Sequence, residues 1–144
     1  MFRLYSSILI SAILFSNCQS ESESTPVEAE KPLTQKDLSG MYKGYKVFNK
    51  STEDSSEVSL KLNWISDNKM KLEEITPYNY TTQIDMTGFD FVYDRGIGED
   101  ECGATSLTGT GSFKGTQLYL IETIKCVNGN GPDKFMEYRV KKIQ

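Results

Sequence analysis

The sequence predicts an all-β domain: eight antiparallel strands in an up-and-down meander closed into a barrel, with a two-sheet β-sandwich as the alternative. Three observations carry this. From Gly40 onward apolar residues recur with period two rather than 3.6. Short turn signals separate the apolar runs, and the pairing around each turn sets apolar residues against apolar residues. No long amphipathic helix follows the apolar N-terminal run.

The strands are expected in this order. The first lies near Met41–Phe48. In the second, about 57–65, Val58, Leu60, Leu62 and Trp64 alternate with Glu57, Ser59, Lys61 and Asn63, the pattern of a half-buried strand. The loop "SDN" places Asn68 where φ > 0 is needed. It leads into a strand at 69–76, with Trp64 opposite Met70 and Leu62 opposite Leu72. Strands at 80–87 and 89–94 meet at a two-residue turn, Thr87-Gly88, which sets Met86 against Phe89 and Ile84 against Phe91. Strands at 104–113 and 116–126 turn at Lys114-Gly115. That register pairs Phe113 with Thr116, Gly111 with Leu118, Gly109 with Leu120 and Leu107 with Glu122. A last strand covers 134–143. Short connections make neighbours antiparallel, and eight strands in sequence order favour closure, which removes sheet edges.

The chain has 144 residues and a net charge of −4. An acidic chain gains nothing from counterion release at phosphate backbones, which argues against nucleic acid as a partner. Histidine is absent. That removes the commonest general base, the commonest metal ligand and every Ser-His or Cys-His arrangement. The chain has no nucleophile elbow, P-loop, dinucleotide fingerprint or C-x-x-C pair. A non-catalytic role follows, with no cofactor and no metal expected.

The N-terminus reads differently. "MFR" supplies positive charge, and Leu4 to Phe15 is an apolar run softened by Ser6, Ser7 and Ser11. As a helix it would be about 18 Å long, short of the ~30 Å core of a bilayer. It has the length and flanks of a signal peptide, residues 1–17. Phe15-Ser16-Asn17-Cys18 resembles a lipobox, in the relaxed form of spirochaete lipoproteins: Phe15 replaces the usual aliphatic residue and Asn17 the usual small one. The resemblance to bacterial lipoproteins implies that Cys18 becomes the first residue and carries a diacylglyceryl group and an N-acyl chain such as palmitate. Two or more chains give stable attachment to a bilayer, where one does not. The implied location is the bacterial cell envelope, at the outer membrane. Ordinary signal cleavage after Ser20 is the alternative.

Residues 18–38 are rich in Ser, Glu and Pro and read as a disordered acidic tether, with a reach of about 25 Å for ~20 residues. Glu21, Glu23, Glu28 and Glu30 disfavour contact between the tether and anionic lipid. The barrel domain is then 39–144. Its opening "LSGMYKGY" and the hairpin "GTGSFKGTQLYL" resemble small lipocalin-like bacterial domains, with Tyr42 where the lipocalin signature has Trp. The domain is expected to be monomeric.

With Cys18 lipidated, Cys102 and Cys126 remain, and export makes a disulfide between them the default. The hairpin register sets Cys102 beside Val127 and Cys126 beside Gly103, one residue out of alignment, so a bulge or a loss of regularity at Gly103 is required. Metal binding by two lone cysteines is the alternative.

Three places are candidates for function. The first is the barrel interior, with Trp64, Met86, Phe91, Gly109, Gly111, Phe113, Leu120 and Glu122 as candidate lining residues. Gly109 and Gly111 remove volume, and Glu122 supplies one polar group, which together suit a small apolar ligand. A filled core is the alternative, with Glu122 at a rim or paired with Arg139 or a lysine. The second is an acidic loop end, where Asp94, Glu99, Asp100, Glu101, Asn128, Asn130 and Asp133 offer oxygen ligands to calcium. The third is the outer face around Tyr119, Ile121 and Thr123, which suits an envelope protein partner. The exposed aromatics of Tyr78-Asn79-Tyr80 are expected to lack a role.

Overall fold

The computed structural model describes residues 33–51, 54–129 and 131–143. The expected signal peptide, Cys18, most of the expected tether and Asn130 lie outside them. Eight strands follow in chain order: β1 (Gly40–Phe48), β2 (Ser55–Ser66), β3 (Lys69–Thr76), β4 (Tyr80–Thr87), β5 (Asp90–Asp100), β6 (Gly103–Lys114), β7 (Gln117–Cys126) and β8 (Lys134–Ile143). Each pairs antiparallel with the next, and β8 pairs with β1 to close the barrel. The up-and-down barrel expected from the alternation is the fold observed, and the sandwich is not.

Alternation decides which residues face in. Tyr42 from β1, Leu60 and Leu62 from β2, Met70 and Leu72 from β3, Ile84 from β4, and Leu118 and Leu120 from β7 are all buried. Burying each such side chain contributes roughly 1.5–3 kcal/mol. Charged residues such as Lys61 opposite Glu73 take the outer face, the inverse of a membrane barrel, whose apolar band faces outward.

One end of the barrel is plugged by a segment that the composition assigns to the tether. Gln35–Leu38 form a short 3-10 helix, and Leu38 is buried in the core. The Leu38 carbonyl accepts a hydrogen bond from Tyr42 Oη at 2.8 Å. Gln35 donates to the Gly88 carbonyl and accepts from the Asn68 N–H. Ser39 Oγ accepts from the Trp64 N–H. The expectation of a tether through residue 38 is thus corrected at its end: the stretch is polar, but Leu38 and a set of hydrogen bonds dock Gln35–Leu38 on the barrel. Trp64, expected inside, sits at this rim with 37% of its surface exposed and the Lys36 ammonium 5.8 Å from its ring. It continues the inward face of β2 but lies beyond the last core layer.

The first hairpin register is as expected, with Trp64 opposite Met70, Leu62 opposite Leu72, and Asn68 at φ 63°. The other two are shifted by two residues. Met86 pairs with Phe91 and Thr87 with Asp90, so the turn is Gly88-Phe89. Phe113 pairs with Leu118 and Lys114 with Gln117, so the turn is Gly115-Thr116. In both, glycine takes the first turn position, with φ of 64° and 59°, as two-residue turns with a leading glycine require. The shift is even, so every strand residue keeps its face. Phe89 does not: it becomes a turn residue, 39% exposed, instead of an inward one.

Cys102 and Cys126 form the expected disulfide. The loss of regularity at Gly103 is a hairpin turn: Asp100 pairs with Gly103, which leaves Glu101 and Cys102 as the turn, while Cys126 pairs with Thr105. Residues 95–100, expected to lie between strands, continue β5 instead, with an irregularity between Asp94 and Ile97. The bond closes a separation of 24 residues, worth roughly 3 kcal/mol through the unfolded state. Cys102→Ser combined with Cys126→Ser should lower stability to urea by about that amount with the barrel retained. The oxidised protein should show no reactive thiol from this pair under denaturing conditions.

A buried carboxylate cluster at the candidate functional site

The plug closes the end that holds the turns at Asn68, Gly88 and Gly115. At the opposite end, where β1–β2, β3–β4, β5–β6 and β7–β8 connect, the inward positions change from apolar to polar. Continuing each strand's alternation brings Lys46, Glu74, Tyr93, Glu122 and Tyr138 into the interior, with Tyr80 half-buried beside them and Arg95 at the mouth, its side chain 30% exposed.

Glu122 is fully buried. It sits opposite Gly109 rather than Leu107, and its partners are not Arg139 or a lysine. Tyr80 and Tyr93 donate to Oε1, and Tyr138 donates to Oε2 at 2.7 Å. Arg95 places a guanidinium nitrogen 3.7 Å from Oε1. Glu74, also fully buried, accepts from Lys46 Nζ at 2.7 Å and from the Tyr78 N–H at 3.3 Å. Tyr138 Oη lies 3.2 Å from Glu74 Oε2 as well. A hydroxyl has one proton, so Tyr138 donates to one carboxylate at a time and links the two ion pairs.

Aromatic rings cover the cations. The Lys46 ammonium is 4.2 Å from the centroid of the Tyr78 ring, and the Arg95 guanidinium is 3.7 Å from that of Tyr80. The Tyr78-Asn79-Tyr80 connection, expected to be idle, thus supplies two rings to the cluster. The Arg95–Tyr80 contact lies where the ladder between β4 and β5 has already stopped, at Asp85–Val92. Two formal positive charges balance two formal negative charges, and among the described residues no buried side-chain nitrogen or oxygen lacks a partner.

Burial and the charge of Glu122 push the hydroxyls of Tyr80, Tyr93 and Tyr138 well above the usual tyrosine range. Burial alone pushes Tyr42 up to about 12. The tyrosines are therefore neutral hydrogen-bond donors, which suits a carboxylate acceptor.

Of the candidate lining residues, Met86, Phe91, Phe113 and Leu120 are buried in the apolar half of the interior. Gly109 and Gly111 do not leave a void. A Cβ added at Gly109 would fall 2.1 Å from the Tyr93 ring, and one at Gly111 2.3 Å from the Phe91 ring. The volume that the glycines give up is occupied by two aromatic rings of β5. Two clefts open at the unplugged end. One, of about 380 Å³, runs from Arg95 to Leu107 and Ile124; the other, of about 250 Å³, is bordered by Lys46, Tyr78 and Met136.

Four of the acids expected to offer ligands to calcium are already engaged. Asp100 and Glu101 both bind Lys134 Nζ, at 2.9 and 3.3 Å. Asp94 accepts from the Gly96 N–H, and Asp133 lies 3.7 Å from Lys125. Among the described residues no group of three carboxylates or other ligands is placed to hold a metal ion. On the outer face, Tyr119, Ile121 and Thr123 lie opposite Ser112, Thr110 and Thr108.

No protein-family model matches the chain, and no curated protein or solved structure is similar to it.

Two outcomes follow. Glu122→Leu strands three phenols and a guanidinium and should cost about 3–5 kcal/mol in urea unfolding, while Glu122→Gln, which keeps an acceptor, should cost less. Stability should also fall above about pH 10. There the unfolded tyrosines ionise while the folded ones hold their protons, so ΔG drops by about 1.4 kcal/mol per pH unit for each buried phenol. Tyrosinate absorbance should lag for these residues until the barrel unfolds. A monotonic, non-cooperative titration of all tyrosines would contradict this.

Proposed function

We propose that the protein is a lipid-anchored bacterial envelope lipoprotein, non-catalytic, whose barrel is a filled scaffold that works by surface contact with another envelope component. The observation that carries this is the occupation of the space beside Gly109 and Gly111 by Tyr93 and Phe91. An internal apolar ligand needs a void of several hundred Å³, and those two glycines were the places to make one. At the unplugged end Leu107, Ile124 and Met136 border only open clefts, and the polar groups beneath them, Glu122 and Glu74, are already saturated by the protein's own donors. A rigid, self-satisfied interior leaves the outer face and the unplugged mouth for recognition.

The anchor reading rests on the position of Cys18, directly after an apolar run and directly before the polar tether. The described chain enters the barrel at its plugged end, through Leu33 and Thr34. The mouth thus lies at the end away from the point of entry.

Metabolic labelling with a clickable fatty acid should mark the wild type and not Cys18→Ser, and the unlabelled variant should leave the membrane fraction. Native mass spectrometry of the extracted protein should show the acylated chain alone. A stoichiometric, displaceable apolar molecule in the spectrum would restore the carrier reading.

A further inference from the structure

One cross-strand row on the outer wall carries three lysines. Lys43 of β1 is directly opposite Lys141 of β8. Lys141 is opposite Gln117 of β7, and Gln117 is opposite Lys114 of β6. The next row adds Tyr45, Arg139, Tyr119 and Ser112 in the same strand order. All of these but Tyr45 line a surface groove of about 490 Å³ that has no Asp or Glu in its lining. Among the described residues Lys43, Lys114 and Lys141 make no ion pair. Arg139 has one carboxylate partner, Glu137 at 3.4 Å, and remains largely exposed.

This arrangement is unfavourable for folding. Like charges directly opposite one another destabilise a sheet, and a chain of net charge −4 has acids to place there. A groove of three unpaired lysines and one exposed arginine, with the Tyr119 ring in its lining, is the complement of a phosphate-bearing surface, since lysine binds phosphate as a point charge and arginine as a fork. Its position gives the occupant. Lys114 adjoins the turn Gly115-Thr116, and Lys141 lies near the end of β8. Both belong to the plugged end of the barrel, where the described chain begins.

We propose that this groove docks the barrel on the phosphate headgroups of anionic phospholipid, on the membrane that holds the Cys18 anchor. The inference rests on the lipid-anchored reading and deepens it by naming the partner of the outer face. Each cation near an anionic bilayer is worth roughly fivefold in binding, so the groove turns a tethered domain into an oriented one. The docking screens with salt.

The test uses the acylated protein reconstituted into phosphatidylcholine vesicles with or without phosphatidylglycerol. Amine-reactive labelling is read lysine by lysine by peptide mass spectrometry, with Lys50 and Lys125 at the unplugged end as references. Relative to these, Lys43, Lys114 and Lys141 should label about fivefold more slowly or less in the anionic vesicles. The difference should vanish at about 1 M salt, where the Debye length is about 3 Å. Equal relative rates in the two lipids would overturn the proposal. The mass of the Cys18 peptide reports the anchor separately. If Cys18 is unacylated, the anchor reading fails, and the labelling is repeated with dissolved short-chain phosphatidylglycerol. Unchanged rates there would overturn the groove as a headgroup site.

Discussion

Closure of β8 onto β1 is the constraint on which the rest of the molecule depends. The two strands meet over eight residue pairs, and the approach is close: a Cβ on Gly44 would lie 2.1 Å from the Arg139 carbonyl oxygen. Once the seam is made, all inward side chains share one narrow space, and each must fit the others. Tyr138 reaches Glu122 and Glu74 only because β8 stands between β1 and β7. The lysine row on the outer wall depends on the same seam, since Lys43 and Lys141 come together only across it.

The interior has two tiers built on different terms. The plugged half is apolar and held by burial, with Leu38 as its stopper. The other half contains two buried carboxylates, the cations of Lys46 and Arg95, and the phenols of Tyr80, Tyr93 and Tyr138, which satisfy one another. Replacing such a network with well-packed apolar side chains is often neutral or stabilising, so stability alone does not account for it. What it does supply is direction: polar groups that must meet their partners fix which strand faces which in a way that leucines do not.

Much of the fold was legible because period two is a strong signal, and each strand's inward face continues past the apolar residues that reveal it. Glu74 follows Met70 and Leu72 on the same face, Tyr80 precedes Ile84, and Arg95 follows Phe91 and Tyr93. Carrying the alternation into those polar residues, and into β1 and β8, would have found the cluster from the sequence. What stays hidden is the turn geometry. Thr87-Gly88 and Gly88-Phe89 are equally good apolar registers, and only the demand for positive φ at the first turn position separates them. Likewise, alternation marks Gly109 and Gly111 as inward but does not say that Tyr93 and Phe91 fill the space beside them. Such infilling depends on cross-barrel distances that no local pattern encodes.

The short ladder between β4 and β5 has a consequence for how the molecule breathes. Most neighbouring strands are joined by backbone hydrogen bonds along their length, but this pair shares only three residue pairs before the strands part. Beyond that point the wall is held by side chains: Arg95 of β5 stacked on Tyr80 of β4, both fastened to Glu122 of β7. A ladder can fray one bond at a time, whereas this staple is released only when a buried carboxylate gives up several partners together. The ladder to β3 holds β4 on its other side as far as Tyr80, so the wall can part here as a side-chain event without the sheet unravelling.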